Sequence, residues 1–161
     1  MKQNICIIGL SNSYAAKISK SVSDAFEMFF ADVMELIKFE LMDVEHARIL
    51  CGDEYIHKVE RNKVKMVATF ENTLFTMDYS LLNEESSLNI VKENAYIIYL
   101  SLSKDNLKKV IKEEDIKTGE SLIYDVYEFR DSLCKKYADF IIDCNDLSAK
   151  EIVENIENKF L

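Results

Sequence analysis

Two uninterrupted apolar runs constrain this chain most, Ile5-Cys6-Ile7-Ile8 near the start and Ala95-Tyr96-Ile97-Ile98-Tyr99-Leu100 past the middle. Runs of this kind fit parallel strands buried on both faces, because a half-exposed strand alternates apolar with polar residues. Shorter stretches at Met28–Asp32, Val64–Thr69 and Phe140–Asp143 also read as strands. Between the strands, apolar residues recur at helical spacing: Ile18, Val22, Ala25 and Phe26 in the first helix, then Leu36, Ile37, Phe39 and Leu41 within 33–42. Residues 44–61 read as helix broken near Gly52. Further helices are expected over 76–82, 105–114, 124–137 and 148–160. The last of these opens with Ser148 and Glu151 three residues on, a capping box. Five strands alternating with helices predict a three-layer α/β/α sandwich around a five-stranded parallel sheet. A single domain over residues 1–161 is long enough to bury one substantial core.

The formal charge of −9 opposes nonspecific binding to nucleic acid or to anionic membranes, since both need clustered Lys and Arg to displace counterions. Lys104, Lys108, Lys109, Lys112 and Lys117 do cluster, but Asp105, Glu113, Glu114 and Asp115 alternate with them, as on a solvated helix. No apolar run approaches the roughly 20 residues of a spanning helix, and the start leads into a strand without a signal-peptide layout. A cytoplasmic location is the expectation. Cys6, Cys51, Cys134 and Cys144 form no C-x-x-C pair and are expected as reduced thiols. His46 and His57 lack metal-site spacing, so no metal ligand set is assigned.

The turn after the first strand has the position of a P-loop (Walker A) without its chemistry. A working P-loop reads Gly, four residues, Gly-Lys-Ser/Thr: backbone amides close around phosphate, the lysine neutralises it and the hydroxyl ligates Mg²⁺. Here the stretch is Gly9-Leu10-Ser11-Asn12-Ser13-Tyr14-Ala15-Ala16. Gly9 stands in its place, but Tyr14 replaces the second glycine, Ala15 the lysine and Ala16 the hydroxyl. Lys17 falls two residues beyond the lysine position, about 200° around a helix, and so points away from a nucleotide. Ser11, Asn12 and Ser13 offer hydroxyl and amide donors at a helix start, where an anion is attracted. Equally, Ser13 serves as a helix cap.

Toward the C-terminus, Arg130-Asp131-Ser132-Leu133-Cys134-Lys135-Lys136-Tyr137-Ala138-Asp139 leads into Phe140-Ile141-Ile142, and Leu147-Ser148-Ala149-Lys150 opens the last helix. With Val67-Ala68-Thr69 and Ala95–Leu100, these stretches make the chain resemble the shikimate kinase family of small P-loop kinases over nearly its whole length. The resemblance implies ATP, Mg²⁺ and an acidic substrate phosphorylated on a hydroxyl. It also implies two aspartates at the end of the second strand, and those positions fall on Ala31 and Val33, with Asp32 between them as the one carboxylate. The family's substrate arginine falls near Cys51–Asp53, where there is none, and its Gly-Gly-Gly falls on Phe70-Glu71-Asn72. Arg130 keeps type and context as the guanidinium that clamps the substrate carboxylate; the alternative is an ion pair with a nearby acid. For the lid arginine, Lys112 and Lys117 are the available substitutes.

These readings assign Arg130 and Asp32 as ligand-binding candidates, Gly9, Ser11, Asn12 and Ser13 as a degenerate phosphate loop, and Tyr14 and Phe70 as side chains filling the emptied pockets. No catalytic residue is assigned. The expected function is a shikimate-kinase-like pseudoenzyme without ATP-dependent phosphoryl transfer, retaining a role in binding a small acidic ligand or a protein partner. Two alternatives stand beside it. One is an active small-molecule kinase with an atypical phosphate site, using ATP and Mg²⁺. The other is a dimerisation or interaction module with Tyr14 and Phe70 as anchors.

Overall fold

A computed structural model describes residues 2–111 and 126–160. The strands β1 (Asn4–Ile8), β2 (Phe29–Asp32), β3 (Thr73–Thr76), β4 (Ala95–Ser101) and β5 (Phe140–Asp143) form one sheet in the order β2-β3-β1-β4-β5. All four pairings are parallel. Helices α1 (Asn12–Ala25), α2 (Val33–Leu41), α3 (Val44–Cys51), α4 (Asp53–Ala68), α5 (Glu85–Asn94), α6 (Lys104–Val110), α7 (Tyr127–Tyr137) and α8 (Ala149–Phe160) connect the strands, with a short 3₁₀ helix at Tyr79–Asn83. Parallel strands require crossover connections, and helices supply them while covering the sheet faces. The expected α/β architecture is the one observed.

The core follows from the sequence runs. Cys6, Ile7 and Ile8 of β1, Leu74 and Phe75 of β3, and Ile97, Ile98, Tyr99 and Leu100 of β4 are all buried. The cysteines Cys6, Cys134 and Cys144 are buried free thiols, whereas Cys51 is exposed. Asn4 is the polar element that locks the middle of the sheet. Its Nδ2 donates to the carbonyls of Ala68 at 2.9 Å and Phe70 at 2.6 Å, and its Oδ1 accepts from the Thr73 N–H at 2.9 Å. One buried amide thus ties the start of β1 to the turn between α4 and β3. At the far edge, Phe26, Tyr96, Phe140 and Phe160 pack ring against ring, with centroids 5.3–6.1 Å apart, and hold the end of α8 on the sheet.

Three expectations are corrected. Residues 64–69 belong to α4 and its cap, because Ile56, Val59, Val64, Val67 and Ala68 form one buried helical stripe. The third strand lies later, at Thr73–Thr76, inside what reads as a loop followed by a helix. Its two threonines are buried because their hydroxyls are satisfied: Thr76 donates to the Ile7 carbonyl at 2.8 Å and Thr73 to that of Glu71 at 3.0 Å. Finally, α1 is capped by Ser11 rather than Ser13, so the helix begins two residues earlier than a Ser13 cap allows. The capping role of Ser148 stands, since its Oγ accepts from the Glu151 N–H at 3.2 Å. Lys112 and Lys117 lie outside the described residues.

Candidate functional site

In an open parallel sheet, ligands bind outside the carboxyl ends of the strands, near the strand where the order reverses. Here that strand is β1, flanked by β3 and β4. The residues leaving this edge are Gly9-Leu10-Ser11 after β1, Asp32 at the end of β2, Met77-Asp78-Tyr79 after β3 and Cys144-Asn145 after β5.

The turn after β1 is short. Three residues separate Ile8 from the first helical residue, Asn12. Ser11 Oγ accepts from the Tyr14 N–H at 3.3 Å and lies 3.3 Å from Ser13 Oγ. The Ala15 N–H donates to the Ser11 carbonyl at 3.0 Å. The amides at positions 14 and 15 are therefore used inside the helix. Leu10, Ser11 and Ala15 are buried. A β-carbon added at Gly9 would lie 3.4 Å from Ala15 Cβ, an ordinary van der Waals distance, so the start of the helix packs close to the strand end. Ala15, at the position of the phosphate lysine, faces this contact, and Lys17 and Lys20 are exposed on the helix surface. Asn12 Oδ1 is a buried acceptor with no hydrogen-bond partner among the described residues.

Tyr14, on the first turn of α1, faces the end of β5, where Cys144 acts on its phenol. Burial, reinforced by Cys144, pushes its phenol well above the usual tyrosine range. Asp32 lies on the same edge, but Oδ1 accepts from the Met34 and Glu35 N–H groups at 3.0 and 3.3 Å, so this carboxylate caps α2. Burial raises its pKa despite those two bonds. Val33, beside it, is fully buried.

Phe70 does not stand at this edge. It precedes β3, and its carbonyl accepts from Asn4 at the start of β1, which places it at the amino ends of the strands. Half exposed, it lines a shallow apolar groove with Phe29, Phe30 and Ala31. Its assignment as a pocket filler fails because the third strand begins after it. The side chain that does fill the space beyond β3 is Tyr79, which the sequence reading missed. Its hydroxyl accepts from Arg130 Nη1 at 2.8 Å, and burial pushes the phenol up to about 12. The only signal available was the β-branched and aromatic content of Thr-Leu-Phe-Thr, which suits a strand ending just before Met77-Asp78-Tyr79 but lacks its alternation.

Arg130, on the first turn of α7, makes no ion pair among the described residues, so the anticipated acid partner is replaced by a phenol. It lines a cleft of about 290 Å³ with Tyr79, Ser80, Asn83, Val126, Phe129 and Leu133. On the other side of the 3₁₀ helix, His57, Glu60, Arg61, Ser80, Asn83 and Ser87 border a second cleft of about 460 Å³. The first cleft offers the Arg130 guanidinium to an anion, and among the described residues no lysine or arginine stands at the turn after β1. Among the described residues, no group of three or more His, Cys, Asp or Glu side chains is placed to hold a metal ion, and no helix is long and apolar enough to cross a membrane.

Comparison with known proteins agrees with this architecture. A family model described as shikimate kinase matches residues 16–160. The shikimate kinase of Dictyoglomus turgidum is 22% identical over 165 residues, covering 97% of this chain and 96% of that protein. The Lactococcus lactis enzyme is 24% identical, covering 98% of each chain. Among solved structures, the shikimate kinase of Acinetobacter baumannii in complex with shikimate superposes with a TM-score of 0.82 at 13% identity, covering 99% of this chain and 93% of that one. The Aquifex aeolicus enzyme gives 0.77 at 18% identity, covering 98% and 95%.

Proposed function

The chain belongs to the shikimate kinase family, and we propose that it has lost ATP-dependent phosphoryl transfer while keeping the scaffold and the guanidinium of Arg130 for a small acidic ligand. The observation that carries this reading is the full burial of Ala15 at the position of the phosphate lysine. Phosphoryl transfer depends on positioning and charge neutralisation, so a P-loop must wrap the phosphates and place a lysine against them. At this turn the helix starts at Asn12, its Tyr14 and Ala15 amides are already bonded, and the lysine position is a buried alanine. A triphosphate with Mg²⁺ does not fit the residues present: neither a cation nor a metal-ligating hydroxyl stands where the family places them, and the Asp32 carboxylate is spent on a helix cap.

Calorimetric titration with MgATP tests the reading directly. The expected result is no binding heat, together with no ADP release when shikimate is added. Micromolar, magnesium-dependent binding refutes it.

A partner-binding role is supported by a separate observation, the exposure of Phe39, Met42, Ile49 and Leu50 on and around α2 and α3; Met42 is 89% exposed. Light scattering over a range of concentrations checks its simplest form, self-association, and a constant monomer mass removes that form.

A further inference from the structure

The chain has three arginines, and two are neutralised internally. Arg48 pairs with Glu45 at 2.7 Å and Asp53 at 2.9 Å, and Arg61 with Glu54 at 3.6 Å and Glu84 at 3.5 Å. Arg130 is half-buried, yet has no carboxylate partner among the described residues of a chain carrying −9. A guanidinium taken partly out of water with no carboxylate at ion-pair distance is costly, so such a group marks a place suited to an anion. The group standing there instead is the Tyr79 hydroxyl.

We propose that Tyr79 is an internal competitor for the anion pocket of Arg130, occupying the Nη1–H that one oxygen of a bridging carboxylate would take, so that a small carboxylate reaches this two-bond mode only by displacing it. This rests on the Proposed function in one respect, that Arg130 is the retained acid-binding group; it needs no nucleotide. Tyr79 is buried, with its ring against the core and its hydroxyl toward α7. With its pKa pushed up to about 12, the phenol stays neutral and satisfies one donor without neutralising the guanidinium. A carboxylate does both and can take two N–H bonds at once, which is the stronger interaction. Around the guanidinium, Ser80 and Asn83 supply polar groups, while Phe129 and Leu133 line the rest of the cleft. The ligand class is therefore a small organic acid with an apolar face, admitted in proportion to how readily the Tyr79 hydroxyl is displaced.

Titration with shikimate as the probe, without nucleotide, tests this in wild type, Tyr79→Phe and the double variant Tyr79→Phe/Arg130→Gln. Phe keeps the ring in the core and removes the competing oxygen. The expected result is binding about tenfold tighter in Tyr79→Phe than in wild type, the scale of one hydrogen bond to a charged group, and loss of that gain in the double variant. Equal affinity in wild type and Tyr79→Phe, or a gain that survives Arg130→Gln, overturns the proposal. Should Tyr79→Phe lose its cooperative melt, the Arg130 Nε–H resonance of the wild type provides the second readout. It is expected to move on addition of shikimate, and a resonance that stays fixed overturns the proposal. MgATP binding would sink the loss of phosphoryl transfer and leave this gate intact. An unresponsive Tyr79→Phe does the reverse.

Discussion

The hydroxyl of Tyr99, fully buried in β4, donates to Asp131 Oδ1 at 2.6 Å, and the other oxygen of that carboxylate meets Lys135 at 2.8 Å. This pair fastens α7 to the middle of the sheet, and Arg130 precedes Asp131 on the same turn. Tyr99→Phe leaves a buried carboxylate oxygen without its donor, which costs about 1–3 kcal/mol. The expected outcome is a lower urea midpoint with an unchanged m-value. An unchanged midpoint would mean the bond is replaced by water.

Placing a lysine at position 15 is not expected to create a phosphate site. Ala15 is fully buried against Gly9, so Ala15→Lys forces an ammonium into the core rather than into a loop. Destabilisation of about 3–5 kcal/mol is expected, read as a fall of roughly 10 °C in the melting temperature of a chain this size, with no gain in MgATP binding. A variant that melts like wild type and binds MgATP contradicts the packing described.

Asn4 makes three hydrogen bonds from a buried position. Asn4→Ala removes all of them and strands two carbonyls and an N–H in the turn between α4 and β3, an expected loss of about 2–4 kcal/mol. Phe70→Ala, at the same turn but half exposed, is expected to cost far less, on the order of 1 kcal/mol or below. Parallel chemical denaturation of the two variants checks the order.

Asp32 carries a pH dependence of definite sign. Burial makes its folded carboxyl hold a proton to higher pH than an unfolded aspartate, whose pKa is about 3.9. In that window the folded state binds more protons, so Asp32's contribution to stability is greatest at low pH and falls as pH rises through its folded pKa. Asp32→Asn keeps a capping acceptor and removes this slope, so it is expected to be at least as stable as wild type at pH 7. Asp32→Ala loses the cap, about 1 kcal/mol. Thermal melts at pH 4 and pH 7 separate the three proteins. If Asp32→Asn melts below Asp32→Ala, the assignment of this side chain as a cap is refuted.

Much of the fold was legible because burial on both faces writes itself as unbroken apolar sequence, as in Ile5–Ile8 and Ala95–Leu100. Thr73–Thr76 was not, because its threonines hide their polarity in hydrogen bonds that a sequence does not display. The β-branched residues of Val64–Thr69 then passed for the strand, although Val64 and Val67 continue the stripe begun by Ile56 and Val59. That single slip carried the expected pocket residue to Phe70, at the opposite end of the sheet from Tyr79. Arg130 was identifiable from its local run. Its pairing with Tyr79, and that of Tyr14 with Cys144, join residues far apart in sequence and emerge only once the strands are ordered.

β1 lies at the centre of the sheet although it is made first, with β3 and β4 as its neighbours. A nascent chain emerging from the ribosome therefore carries Ile5–Ile8 unpaired on one side until Thr73–Thr76 is synthesised and on the other until Ala95–Ser101 follows. Until β4 is made, one edge of this apolar strand stays open, and only helix packing within the chain shields it from pairing with a neighbouring chain.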